Sequence, residues 1–107
     1  MIIVIADDIT GAAEIAGIGH SYGLKTTLVT RVPQKAPDCE VLVVASDTRS
    51  MSEKDAVHVT HKVCTALMEM VAGTGMPLGE KHILFKKVDS ALRGYVVSEL
   101  NMLMSIF

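Results

Sequence analysis

Two motifs, residues 6–12 and 85–94, place acids, hydroxyls and cations directly after apolar runs of the sequence. The cations indicate an anionic ligand, because arginine grips a carboxylate or phosphate through paired hydrogen bonds and lysine adds a compact charge. Asp8 and Asp89 could orient or deprotonate a hydroxyl of that ligand, so we predict them as the catalytic residues. The predicted substrate-binding residues are Asp7, Thr10, Asp47, Arg49, Lys87, Ser90 and Arg93.

These polar residues also have a simple structural explanation. Asp, Ser and Thr after a strand often cap the next helix, and Asp8, Thr10, Asp47 and Ser90 are all placed to do so. Capping does not explain the neighbouring lysines and arginines, because cations at a helix N-terminus oppose the macrodipole. A bound carboxylate or phosphate would offset them. Positioning and charge neutralisation are also the main requirements of phosphoryl transfer.

The elements that must position these residues follow from the hydrophobic pattern. Short apolar runs alternate with longer segments of helical period, which predicts strands near residues 1–6, 26–30, 41–45 and 82–86. Continuous apolar runs such as residues 41–44 are typical of parallel strands covered on both faces. We predict a three-layer α/β domain, Rossmann-like, with a parallel sheet and flanking helices. The polar clusters then share the carboxyl edge of the sheet, where ligands bind.

Three helices are predicted around these strands. The first is capped by Thr10 and ends before Gly23, which suits the left-handed position after a helix. The second starts at a capping box made by Ser50 and Glu53, and the third follows Gly94. The predicted apolar positions are Ala56, Val59, Val63, Leu67 and Met70 in the second helix, and Val96, Val97, Leu100, Leu103 and Met104 in the third.

Composition narrows the class of protein. The chain has 107 residues, half of them hydrophobic, and a mean hydropathy of +0.40. A buried sheet explains this better than a membrane span, since no apolar run approaches the roughly 20 residues that a span needs. The net charge of −2 and the 4% aromatic content argue against nucleic acid as a partner. No secretory signal is visible ahead of the first strand, so the cytoplasm is the expected location.

The remaining reactive side chains have structural explanations. Cys39 and Cys64 lie far apart in the sequence and are interpreted as free thiols. His58 and His61 are three residues apart on a helix but have no third ligand at a suitable spacing, so we predict no metal site. The pattern leaves open whether the protein forms a homo-oligomer.

A nucleotide site is not evident from the sequence. There is no GxxxxGK(S/T) motif, and the glycines of residues 17–23 have the wrong spacing for GxGxxG and follow a helix rather than a strand. ATP would therefore have to be bound by another domain. The chain stops directly after an apolar helix face, which favours the interpretation of residues 1–107 as part of a larger domain.

The motifs resemble those of a known family, the four-carbon acid sugar kinases, which include 3-oxo-tetronate kinases. Residues 6–12 resemble its ADDxTGA motif, residues 46–50 its Asp-Thr-Arg segment, and residues 86–94 its KKxDSxLRG motif. The resemblance implies that residues 1–107 are the N-terminal part of a sugar-acid-binding domain, inactive alone. In the full-length protein, ATP and Mg²⁺ would be bound mainly by a second, C-terminal domain.

The same resemblance implies a reaction and a site. The reaction would be phosphorylation of a hydroxyl on a small anionic sugar acid of the 3-oxo-tetronate, threonate or erythronate type. The residues that would line the sugar-acid site are Asp8, Arg49, Lys87, Asp89 and Arg93.

A second interpretation is a receiver-like phosphoacceptor domain. Such a domain has paired acids after its first strand, an acceptor Asp after its third and a later lysine, a layout matched by Asp7, Asp8, Asp47 and Lys87. Arg49 and the residues after Lys87 fit this pattern poorly, and the chain has too few βα units for it. We therefore prefer the kinase.

Overall fold

The computed structural model describes all residues, 1–107, as one parallel sheet with helices on both faces. Its strands run in the order β2-β3-β1-β4, and every neighbouring pair is parallel. The predicted α/β fold is therefore confirmed, and all four strands lie within one residue of their predicted bounds. The elements are β1 (Ile2–Ala6), α1 (Ile9–Ser21), β2 (Thr26–Val29), β3 (Val41–Ala45), α2 (Glu53–Ala72), β4 (Ile83–Lys87) and α3 (Val96–Ile106).

Two apolar clusters hold the three layers together. Because side chains alternate across a strand, β1 and β3 contribute to both clusters. Val4 and Val43 belong to the cluster that includes Ala12 of α1. Ile5 and Val44 belong to the other cluster, with Leu67 of α2. The sheet is thus covered by α1 on one face and by α2 and α3 on the other.

The connections of β1 and β3 create a crevice at the carboxyl edge of the sheet. These two strands are paired side by side, with Ala6 opposite Ala45 at their carboxyl ends. The chain leaving β1 enters α1 on one face, whereas the chain leaving β3 enters α2 on the other face. Loops that part in this way mark the topological switch point at which open α/β sheets bind ligands.

Both predicted N-caps differ from those in the structure. Helix α1 starts at Ile9 and is capped by Asp8, so Thr10 lies inside the first turn. Helix α2 is capped by Ser52, whose hydroxyl accepts the amide of Asp55, and Ser50 is not part of a capping box. A turn in which the Met51 amide donates to the Thr48 carbonyl precedes the helix and delays its start. The carboxylate of Glu53 bonds Ser98 of α3 instead of closing a box.

The other two candidate caps, Asp47 and Ser90, do not cap a helix either. Helix α3 begins at Val96, after Tyr95, and has no side-chain cap. Gly23 follows α1 with φ +75°, as predicted. None of the three helices combines the length and the apolar character that crossing a bilayer requires.

The predicted apolar face of α3 is only partly correct. Leu103 packs against the larger core cluster, but Val97 and Met104 are 70% and 74% exposed. The most buried side chain of α3 is charged: Glu99 is only 2% exposed. The prediction placed part of the buried face on the wrong side of α3, because this helix carries apolar residues on several sides. It also missed Glu99, because burial of a charged side chain depends on partners from other elements.

The two cysteines differ in burial, so we predict that a thiol reagent labels one of them selectively. Cys64 is fully buried against the sheet, and this burial raises the pKa of its thiol to about 11, whereas Cys39 is half-buried. Since the thiolate is the reactive form, iodoacetamide at pH 8 should modify Cys39 and spare Cys64 in the native protein. Peptide mapping by mass spectrometry measures this, with both sites modified in urea as the control. Equal native rates at the two thiols would contradict the packing described.

Candidate functional site

A polar cavity of about 330 Å³ lies where β1, β3 and β4 end. No hydrophobic residue lines it. The lining contains seven of the nine predicted site residues and adds two that the sequence analysis missed, Gly11 and Glu14. The full lining is Asp8, Thr10, Gly11, Glu14, Arg49, Lys87, Asp89, Ser90 and Arg93.

The first wall of the polar cavity is the start of α1. Asp8 caps this helix by accepting the Gly11 amide at Oδ1, 3.0 Å away. A Cβ at Gly11 would lie 2.7 Å from the same oxygen, so this position has no room for a side chain. Thr10 and Glu14 are four residues apart and therefore share one side of the helix. That spacing was the signal that could have identified Glu14.

Arg49 crosses the crevice and ties the loop after β3 to the end of β1. Its Nη2 donates to Asp7 Oδ1 at 2.9 Å and to Asp8 Oδ1 at 3.1 Å, and its Nη1 donates to Asp8 Oδ2 at 3.1 Å. The hydrogen bond with Asp7 raises the pKa of the Arg49 guanidinium further above its ordinary value. Asp7 is buried behind Arg49 and does not line the cavity. Arg49 is thus held by carboxylates of the chain itself.

Asp89 organises the opposite wall, the loop between β4 and α3. Its Oδ2 accepts the backbone amides of Ala91 and Arg93. The Arg93 side chain adds two further bonds, Nε to Oδ2 at 2.9 Å and Nη2 to Oδ1 at 3.0 Å. These hydrogen bonds, chiefly those from Arg93, hold the pKa of Asp89 well below its usual range. Asp89 is therefore a fixed anion with both oxygens engaged, which makes it a poor proton acceptor.

Four groups keep bonding capacity toward the polar cavity. Lys87 Nζ donates only to the Val88 carbonyl, at 2.8 Å. Arg93 has a 68% exposed side chain, and its Nη1 makes no hydrogen bond within the chain. Glu14 makes no hydrogen bond or ion pair, and Asp8 Oδ2 accepts only from Arg49. Free donors therefore face free acceptors across the cavity, which can bind a molecule that has both a carboxylate and hydroxyls.

Two residues of the predicted clusters lie elsewhere. Lys86 points to the α2 and α3 face, where its Nζ is 2.7 Å from Glu99 Oε2, because neighbouring side chains of a strand face opposite sides. Asp47 is exposed and does not line the polar cavity. Its φ of +54° turns the loop before Arg49, and Leu92 in the other loop has φ +56°. Such strained backbone is often concentrated at functional sites.

Gly94 of the second motif lies against Asp7 of the first, and we predict that this position does not tolerate a side chain. It adopts φ +83°, and a Cβ there would lie 2.9 Å from Asp7 Oδ2. Gly94→Ala should therefore lower the free energy of unfolding by about 1–3 kcal/mol, measured by urea denaturation. Gly17→Ala is the matched control, because a Cβ at that helical position meets nothing within 4 Å and should stabilise by about 0.5–1 kcal/mol. Equal effects at the two positions would contradict this account.

No other cavity of the structure groups several cations, and the one that is lined by Gln34, Lys35 and Thr74 has a single lysine. An apolar groove of about 410 Å³ lies at the opposite edge, between the ends of α2 and α3, and contains no charged residue. No group of three or more His, Cys, Asp and Glu side chains is placed to hold a metal ion. The polar cavity itself lacks the usual features of a nucleotide site. The polar cavity has no apolar wall for a base, and no glycine-rich phosphate loop follows a strand.

Comparison with known proteins agrees with this geometry. Residues 2–107 match the family described as sugar-binding N-terminal domain. The chain is also 26% identical over 110 aligned residues to a D-erythronate kinase of Heliobacterium modesticaldum. That alignment covers 98% of this chain but 23% of the relative, so the chain spans about a quarter of the length of the protein it matches. Since the family match extends over nearly every residue, the chain belongs to the family of sugar-binding N-terminal domains.

Proposed function

We propose that residues 1–107 form the substrate-binding part of a kinase that phosphorylates a hydroxyl of a four-carbon sugar acid. The observation that carries the proposal is the polar cavity, in which Lys87 and Arg93 face Asp8, Thr10 and Glu14. The family match and the similarity to a D-erythronate kinase support it. Erythronate, threonate and 3-oxo-tetronate are the candidate substrates.

The arrangement of free groups suggests how the substrate is oriented. Arg93 Nη1 and Lys87 Nζ would bind the carboxylate of the sugar acid, since charge-assisted bonds from cations are the strongest available there. The hydroxyls would then lie along α1, within reach of Thr10 and Glu14. Arg49 would not grip the substrate directly, because Asp7 and Asp8 occupy its guanidinium. Its proposed role is to hold Asp8 in place.

Asp8 is the better candidate for the general base. A base must accept a proton from the attacking hydroxyl, and Asp8 Oδ2 receives a single hydrogen bond. Both oxygens of Asp89 are engaged by Arg93 and by backbone amides. We propose that Asp8 accepts the hydroxyl proton at Oδ2 and that Asp89 fixes the orientation of Arg93.

ATP and Mg²⁺ are proposed to bind mainly outside residues 1–107. The cavity lining lacks an apolar surface for adenine, and the chain spans 23% of the kinase to which it is similar. Bound there, ATP would supply the phosphoryl group. The contribution of residues 1–107 is to bind the sugar acid, orient it and accept a proton from it.

The test is a substrate screen of the intact protein with Mg²⁺ and ATP. Erythronate, threonate and 3-oxo-tetronate are supplied separately, and phosphorylated products are identified by mass spectrometry. The proposal predicts a phosphate ester of at least one of these acids. It is wrong if none of these acids is phosphorylated, while the protein transfers phosphate from ATP to another class of acceptor.

A receiver-like function makes a different prediction. The strand order β2-β3-β1-β4 differs from the 2-1-3-4-5 order of flavodoxin-like receivers, and Asp47 does not line the polar cavity. Treating the protein with acetyl phosphate and Mg²⁺ should therefore leave Asp47 unmodified. Mass-spectrometric detection of an aspartyl phosphate at Asp47 would favour the receiver over the kinase.

Arg93→Gln tests the proposed carboxylate contact. The substitution removes the cation that faces the cavity, and it also frees Asp89 to repel an anion. We expect KM for the sugar acid to rise by about 10–100-fold, corresponding to one lost charged hydrogen bond, with a smaller change in kcat. Steady-state kinetics of the intact enzyme measure this. Lys62→Gln on the exposed side of α2 is the control, and an unchanged KM in Arg93→Gln would refute the contact.

A further inference from the structure

A buried carboxylate lies on the face of the sheet covered by α2 and α3, in contact with Lys86 and Thr48. Glu99 of α3 is 2% exposed. Lys86 Nζ lies 2.7 Å from its Oε2, and the hydroxyl of Thr48 donates to its Oε1. The Lys86 side chain is itself only 6% exposed, and Ser46 Oγ lies 3.4 Å from Thr48 Oγ1. None of these side chains lines the cavity.

The two partners of Glu99 come from the loop after β3 and from the end of β4, the two segments that lead to the cations of the site. Thr48 directly precedes Arg49 in the loop after β3. Lys86 directly precedes Lys87 at the end of β4. A single side chain of α3 therefore contacts both segments, which are 38 residues apart in the sequence.

Strand geometry links the buried ion pair to the orientation of the site. Successive side chains of a strand point to opposite faces. When Lys86 is drawn to Glu99 on the α2 and α3 face, Lys87 must project to the α1 face. There its side chain runs past Gly11, where a Cβ would lie 3.8 Å from Lys87 Cγ. A rotation of the end of β4 would disturb both residues together.

Stability alone does not account for this buried ion pair. Removing two charges from water is costly, and replacing such a pair with apolar residues of similar volume is often neutral or stabilising. The surroundings on this face are apolar, and they include Leu67 and Cys64 of α2. What Glu99 provides, and an apolar replacement would not, is a charge attraction to Lys86 at the end of β4 and a hydrogen bond from Thr48 in the β3–α2 loop.

We propose that Glu99 is a positioning residue of the sugar-acid site, which holds the β3–α2 and β4–α3 loops in register through Thr48 and Lys86. The identity of the ligand rests on the proposed function, but the ordering of the loops does not. Glu99 contacts no reacting atom; it acts through Arg49, Lys87 and Asp89, which follow its partners in the chain.

The test compares three variants of the intact protein. Lys86→Met combined with Glu99→Leu removes both charges and keeps the volume, so it should fold with a melting temperature close to that of the wild type. Glu99→Gln keeps an acceptor for Thr48 but leaves the Lys86 charge without its partner, so it should melt at a lower temperature than the double variant. It serves as a second variant if the double variant does not fold. Ser98→Ala is the matched control, because it removes the bond between α3 and Glu53 without touching either loop.

Hydrogen exchange gives a readout that does not require kinase activity. In the double variant, amides of residues 46–50 and 88–94 should exchange at least about ten-fold faster, with β1 and β3 unchanged, as expected for local opening. Glu99→Gln should also show an increase at the same amides, and Ser98→Ala none. Unchanged loop exchange in the variants, or a uniform increase over the whole chain, would overturn the positioning role.

Kinetics provide the second readout. The double variant should raise KM for the sugar acid by at least about ten-fold and leave KM for ATP unchanged, because only the sugar-acid loops lose their support. Equal changes in the two KM values would contradict the proposal. If the wild type phosphorylates no sugar acid, the proposed function fails, whereas the exchange result still decides whether Glu99 orders the loops.

Discussion

Asp8→Asn is expected to lower kcat of the intact kinase by about 10²–10⁴-fold, the usual contribution of a general base. Asparagine keeps the shape of the side chain and is a good N-cap, so α1 should remain in place. The amide cannot accept the proton of the attacking hydroxyl at the position of Oδ2. The loss should therefore appear in kcat more than in KM for the sugar acid.

The control for this prediction replaces another carboxylate of the same wall. Glu14→Gln also converts an acid of the polar cavity to its amide, but Glu14 is proposed only to bind a hydroxyl. Its effect on kcat should stay below about ten-fold, the range of a single neutral hydrogen bond. If Asp8→Asn keeps kcat within ten-fold of the wild type, Asp8 is not the base.

Arg49→Met should produce the largest loss of stability. Arg49 contacts Asp7 and Asp8, and its Nη1 lies 3.6 Å from Asp89 Oδ1, all three carboxylates being largely buried. Removing the cation leaves these charges uncompensated, and breaking such a pair from one side typically destabilises by about 3–5 kcal/mol. Urea denaturation at pH 7 measures the effect. Arg31→Met, at an exposed arginine with no ion pair, should change stability by less than about 0.5 kcal/mol.

The loss caused by Arg49→Met should depend on pH only below the ordinary carboxyl range. The pKa of Asp89 is lowered in the folded protein, first by the hydrogen bond from Arg93 and to a smaller extent by Arg49. The ionised form of Asp89 therefore favours folding above the ordinary carboxyl pKa of about 4, and this contribution is lost as the pH falls below it. The stabilities of wild type and variant should differ equally at pH 7 and pH 5 and approach each other between about pH 4 and pH 2. A constant difference down to pH 2 would show that Arg49 contributes through packing rather than charge.

The sequence was sufficient to predict the four strands and most of the residues that line the polar cavity. Residues 41–45 are apolar at every position, as expected for a strand buried on both faces, and that strand matched its predicted bounds. Parallel strands bring their carboxyl ends together, so the motifs after β1, β3 and β4 had to meet. Asp8, Arg49 and Lys87 therefore line one cavity, as expected from the pattern.

The details that failed depend on contacts between distant segments. The pairing of Arg49 with Asp7 and Asp8 requires the register of β1 against β3, which no local pattern specifies. The position of Lys86 could have been deduced from strand alternation once Lys87 was assigned to the cavity. Its partner Glu99 carried a weaker signal, a lone acid within an apolar helix. Ser50 was predicted as the cap of α2, but the turn before the helix moves the cap to Ser52.

The central claim is that the polar cavity binds a small sugar acid through its carboxylate. Its most direct test is isothermal titration of the intact protein with erythronate, without nucleotide, and with erythritol, the uncharged polyol of the same length. We predict saturable binding of erythronate, and binding of erythritol weaker by at least about ten-fold, since the polyol cannot accept charge-assisted bonds from Arg93 and Lys87. Equal affinity for the two compounds, or no binding of erythronate, would contradict the claim.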